Sequence, residues 1–181
     1  MTYTKTSNML MCGLFAALTG VAAGIVIPIP FTPVPVSLAT LAVMIAGGVL
    51  GSRLGTVSMA VYLLIGAFGV PVFSGFTGGI GRLAGPTGGF LIGYIAMAFV
   101  VGFMIERFGR CGGRKEFFIN CAAMALGTGI CYGIGTGGFM VVTGSVLWTA
   151  LVSCVFPFLI GDVIKILAAA WLVQRLKKHV K

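Results

Sequence analysis

Six long apolar runs, separated by short segments that carry nearly all of the charge, constrain this chain more than any other feature. A hydrocarbon layer is roughly 30 Å thick and is crossed by about 20 helical residues, so each run has the character of a transmembrane helix. Six such helices use about 120 of the 181 residues. The loops are therefore short, and residues 1–181 read as a single transmembrane domain. Charged residues make up 8% of the chain, against about 25% in a soluble domain, and the mean hydropathy is +1.13. A soluble globule is excluded.

Proline, glycine and charge place the boundaries. The first helix is expected from about Asn8 to Ile27, ending at the proline-rich segment 28–35, which cannot supply helical hydrogen bonds. It continues into IVIPIPFTPVPV rather than into a small-residue cleavage site, and so reads as a retained helix rather than a signal peptide. A short second helix is expected over Ser37–Leu50, then a turn at Gly51, Ser52, Arg53 and Leu54, and a third helix over Thr56–Val72, with a bend at Pro71. The glycine-rich loop FSGFTGGIGRLAGPTGG follows. The fourth helix starts near Pro86, a residue suited to a first helical turn, and ends at the charged segment 106–116. The fifth is expected over Phe117–Ile134, with Gly135, Gly137 and Gly138 opening a turn, and the sixth over Gly144–Leu172.

Charges that played no part in placing these helices give the orientation. Lys5, Arg53, the cluster from Arg107 to Lys115, and the tail from Arg175 to Lys181 all fall on one side of a six-helix arrangement. The positive-inside rule makes that side the cytoplasm, with both termini on it. A net charge of +9 gathered at helix ends in this way implies no nucleic-acid partner. The opposite side carries one formal charge, Arg82.

Small residues recur every fourth position: Ala16, Gly20 and Gly24; Gly47 and Gly51; Gly85, Gly89 and Gly93; Ala125, Gly129, Gly133 and Gly137. That spacing lines one ridge of a helix and lets membrane helices approach closely. Each ridge serves either packing within the chain or docking of another membrane subunit.

Asp162 and Lys165 fall inside the last apolar run. A charge at membrane depth costs roughly 2.5–3.5 kcal/mol, so both must be partnered. Three residues apart, they share a helical face and can partly neutralise each other. Thirteen residues separate Asp162 from Arg175, about 20 Å along a helix, which puts the pair in the outer half of the membrane. One reading is an ion pair that only orients the helix. The other is a solute site, since a buried pair is often no more stable than an apolar replacement. Two acceptor oxygens and three donors suit a ligand with amide-like N–H groups and a carbonyl or carboxylate, and Arg82 adds a planar fork for a carboxylate.

Other patterns carry less. GIGTGG at 133–138 imitates part of a dinucleotide fingerprint but follows no strand, and helix packing is the better account. No GxxxxGK[ST] phosphate loop is present, and the five cysteines show no metal-ligand spacing. His179 lies among tail lysines without a helical partner. No nucleophile with a base and no metal cluster emerges, so the chain is not read as an enzyme and no cofactor or metal is implied.

PVPVSLATLAV at 33–43, YLLIGAFGVPVFSG at 62–75, GPTGGFLIGY at 85–94 and PFLIGDVIK at 157–165, in this order and spacing, resemble the BioY family. These are the biotin-binding substrate-capture (S) components of energy-coupling-factor (ECF) vitamin transporters. Ser37 and Ala39 stand where the family commonly has threonine and glutamine, so any hydrogen bond from that glutamine is absent. The resemblance implies an all-α membrane protein with an S-component-like bundle of six helices in the plasma membrane. It implies high-affinity capture of biotin, together with a membrane coupling (T) subunit and two cytoplasmic ATPases. Asp162 and Lys165 match the family's GDxxK pair, Arg82 matches a basic position in its glycine-rich loop, and Phe31, Phe73 and Tyr94 are aromatic candidates for the walls of the site. In the family, the small-residue face of helix one, here Ala16, Gly20 and Gly24, is expected to meet the coupling protein. The competing readings are a same-architecture subunit for another small vitamin and an autonomous proton-coupled carrier using Asp162. The inverted repeats that would favour the carrier are not found in the sequence.

Overall fold

Within hydrocarbon every backbone N–H and C=O has to be satisfied by the chain itself, which leaves helices as the economical answer for runs like these. The computed structural model describes residues 5–27, 36–109 and 113–180. They form α1 (Lys5–Gly24), β1 (Val26–Ile27), β2 (Val36–Ser37), α2 (Ala39–Ala67), α3 (Ile80–Leu83), α4 (Gly88–Phe108), α5 (Gly113–Thr143), α6 (Leu147–Cys154) and α7 (Phe156–Val180). Five of these helices are long and apolar enough to cross a membrane. Large apolar side chains such as Leu10, Phe118, Val141 and Ile160 face outward, and the molecule is a multi-pass membrane protein. Phe31 and the proline-rich segment around it, Cys111 and the side chain of His179 lie outside the described residues.

Helix α2 contains a reversal. Gly51 has φ 84° and ψ −178°, a conformation essentially confined to glycine. A Cβ built on Gly55 would stand 3.0 Å from the Cα of Gly47, although eight residues of unbroken helix span about 12 Å. The arms 39–50 and 52–67 thus lie side by side, where the second and third helices were expected. The second arm stops at Ala67, so Pro71 bends no helix. Glu106 of α4 closes the reversal by accepting the Ser52 N–H at 3.1 Å and the Ser52 hydroxyl at 2.7 Å. A carboxylate there satisfies a helix-start donor and complements the positive end of the helix dipole.

Three further differences from the sequence expectation each have a local reason. Helix α1 ends at Gly24 rather than Ile27 because Val26 and Ile27 pair antiparallel with Ser37 and Val36. Helix α5 runs straight through Gly135, Gly137 and Gly138, where a turn was expected. Gly135 lies under the Phe90 ring and Gly138 abuts Gly89, so these glycines serve contact with α4 rather than termination. The expected single last helix is two, broken at Val155 (φ −124°, ψ −59°). Pro157 lacks an N–H and its ring obstructs the carbonyl four residues back, but it is tolerated in the first turn of α7.

The small-residue ridges also sort themselves. Gly47 faces the backbone of Ala98, Gly89 that of residues 134–138, and Gly93 faces Cys131. Ala16 is buried in the core, Gly20 packs on Val72 and Gly24 under the Phe76 ring. The ridge Ala16–Gly20–Gly24, expected to meet a partner, is therefore turned inward and occupied by this chain's own loop. Gly129, Gly133 and Gly137 meet nothing, so the expected α5 ridge faces away from the bundle.

Contacts fix the ends of the bundle relative to one another. Cys12 and Leu54 touch at one end, as do Ser52 with Glu106 and Gln174 with Gly113. The α2 reversal, the end of α4, the start of α5 and the end of α7 therefore share the basic end. Arg82, on α3, belongs to the opposite one.

Candidate functional site

The two-residue ribbon β1–β2 matters because it delivers Ser37 and the start of α2 to α7. The Lys165 ammonium donates to the Ser37 carbonyl at 2.9 Å, to Thr40 Oγ1 at 3.1 Å and to Asp162 Oδ1 at 3.0 Å. An ammonium has three hydrogens, and all three are placed. Asp162 Oδ2 accepts the Tyr132 hydroxyl from α5. The pair is buried, at 4% exposure for Asp162 and 8% for Lys165. It ties together three helices that are far apart in sequence.

The polar cluster lines one side of a cavity that opens at its mouth, a concave, mainly apolar surface with a few convergent polar groups of the kind small molecules occupy. Apolar walls come from Phe90, Leu91, Phe158 and the ring of Tyr94, and further hydroxyls from Ser74, Thr87 and Thr128. Phe90 stands edge-on to Tyr132 with ring centroids 6.5 Å apart, which holds the Tyr132 ring upright beside Asp162. Cys154 and Phe158 cluster with Phe139 and Ala150 around the α6–α7 break, so the break folds an apolar patch against the cavity.

Of the residues singled out in the sequence, Asp162, Lys165 and Tyr94 come together around this cavity. Phe73 does not line it: at 1% exposure it packs edge-on against Tyr62 at 5.6 Å and covers Gly66, in the core. Its neighbour Ser74 lines the cavity instead. Arg82 is exposed on α3 and is not among the lining residues. Sequence reasoning missed Thr40, Tyr132, Phe90 and Phe158. Tyr132, a polar-tipped aromatic inside an apolar run at the depth of Asp162, was the detectable one, since buried tyrosine hydroxyls seek partners. No group of residues fit to hold a metal occurs among the described residues.

The sequence model of the BioY family matches residues 1–181. A biotin transporter BioY of Thermotoga maritima is 38% identical over 171 residues, covering 94% of this chain and 96% of its own. One of Rhizobium etli is 40% identical over 173 residues, covering 93% and 91%. A solved S-component for biotin from an ECF-type ABC transporter superposes with a TM-score of 0.89 at 28% identity, covering 98% of this chain and 94% of that one.

Proposed function

The chain belongs to the BioY family, and from that premise we propose that it captures biotin for uptake as the S subunit of an ECF-type transporter. The observation that carries the reading is the buried Asp162–Lys165 pair facing an apolar-walled cavity. A bicyclic ring with a urea on one edge and an aliphatic tail asks for such a site: a few fixed polar groups in a mainly apolar shell. Asp162 is the acceptor for a urea N–H, Tyr94 and Phe90 pack on the ring and chain, and Arg82 attracts the valerate carboxylate at the mouth.

The two arms of α2 with α1, α4, α5 and α7 make six crossings in this reading. The basic end lies in the cytoplasm with both termini, in the plasma membrane. The T subunit and two ATPases supply the energy. Because the inner ridge of α1 is filled, the coupling subunit is assigned to its open face, where Leu10, Leu14 and Val21 are exposed and Gly13 meets nothing.

Isothermal titration of the purified chain with biotin tests the proposal. Saturable binding is expected, with Asp162→Asn weakening it at least tenfold, about 1.4 kcal/mol; wild-type affinity in that variant would sink the assignment. Tyr132→Phe is expected to weaken biotin about threefold to tenfold and to lower the unfolding temperature, because interhelical hydrogen bonds in membranes are worth about 0.6 and at most about 1.7 kcal/mol. Unchanged melting and affinity would remove Tyr132 from the site.

A further inference from the structure

Lys165 spends its three hydrogens on Ser37, Thr40 and Asp162, so it has none left for a ligand. Ser74 and Thr87 line the cavity without a hydrogen bond to the Asp162–Lys165 pair, and two other lining hydroxyls are committed: Thr128 donates to the Met124 carbonyl at 2.8 Å, and Tyr132 donates to Asp162. Thr40 differs from both. Its oxygen accepts from Lys165, and its own hydrogen has no acceptor among the described residues. It lines the cavity.

We propose that the Thr40 hydroxyl is the donor to the carbonyl oxygen of the ligand's cyclic urea, with Lys165 acting through it as a positioning residue. Asp162 Oδ1 and Thr40 Oγ1 share one ammonium at 3.0 and 3.1 Å, which sets the two oxygens roughly 5 Å apart across its tetrahedral corners. One is an acceptor and the other a donor. A cyclic urea presents N–H and C=O side by side on one edge, so two bonds of about 2.9 Å reach this pair together. The ammonium behind Thr40 polarises its O–H, and chained hydrogen bonds strengthen one another. The site then selects a urea over a cyclic guanidinium, the form a guanidine takes at neutral pH, whose N–H groups meet the Thr40 hydrogen head-on.

This rests on the biotin reading, and the test separates the two. Wild type, Thr40→Val and Thr40→Ser are titrated with biotin, desthiobiotin and 2-iminobiotin, and their melting in detergent is recorded. Wild type is expected to bind biotin and desthiobiotin at least tenfold more tightly than 2-iminobiotin. Thr40→Val should lose at least tenfold for both ureas with little change for 2-iminobiotin, and Thr40→Ser should stay within about threefold of wild type. Absence of biotin binding in wild type removes the functional reading and this inference with it. With wild-type binding intact, an unchanged preference in Thr40→Val, or equal losses for urea and guanidine, overturns the role of Thr40 alone. If Thr40→Val does not fold, a wild-type chain indifferent between biotin and 2-iminobiotin overturns it equally.

Discussion

Lys165→Ala is expected to abolish measurable biotin binding and to destabilise the protein by about 3–5 kcal/mol, the usual cost of removing one partner from a buried ion pair. Three acceptors lose their donor at once: the Asp162 carboxylate, the Ser37 carbonyl and Thr40 Oγ1. The first is left as a buried charge held only by Tyr132, and the other two no longer tie the ribbon and the start of α2 to α7. The double variant Asp162→Asn, Lys165→Met separates stability from function. With both charges gone, its unfolding temperature is expected to recover most of the loss, since apolar replacement of a buried pair is often neutral or better. Its biotin affinity is not expected to recover. A double variant that binds like wild type would mean that the pair is only a structural tie.

The reason Asp162 and Lys165 stand out in the sequence is energetic: charge inside an apolar run is costly, so each such residue demands an account. The same economy made the basic helix ends legible. What stayed hidden is relational. Lys165 and Thr40 are 125 positions apart and Tyr132 and Asp162 are 30 apart, and no periodicity in a single helix encodes which faces meet. Phe73 shows the limit from the other direction. An aromatic beside a glycine-rich loop is equally suited to a cavity wall or to the core, and the Phe73↔Thr77 bridge together with the space above Gly66 takes it inward. Glycine was legible in one role and misleading in the other. Gly135 and Gly138 looked like a helix end and serve α4 instead, whereas Gly51, expected in the turn after the second helix, does reverse the chain.

That reversal is where a single methylated position should do the most damage away from the ligand. A Cβ on Gly102 of α4 would stand 2.5 Å from the Gly51 carbonyl carbon and 2.6 Å from the Ser52 Cα. These are backbone atoms of the turn, so no rotamer change relieves the clash; α4 and the two arms have to separate. Separation also pulls Glu106, one turn further along α4, away from the Ser52 N–H and hydroxyl. Gly102→Leu is therefore expected to cost about 3 kcal/mol, the upper part of the range for overpacking, and to lower the monodisperse fraction in detergent. Gly133→Ala is the control, because Gly133 meets nothing within 4 Å and alanine favours a helix over glycine by roughly 1 kcal/mol. It should melt at or above wild type. If Gly102→Leu melts with the control, close approach of α4 to the reversal is not what holds the two arms of α2 together.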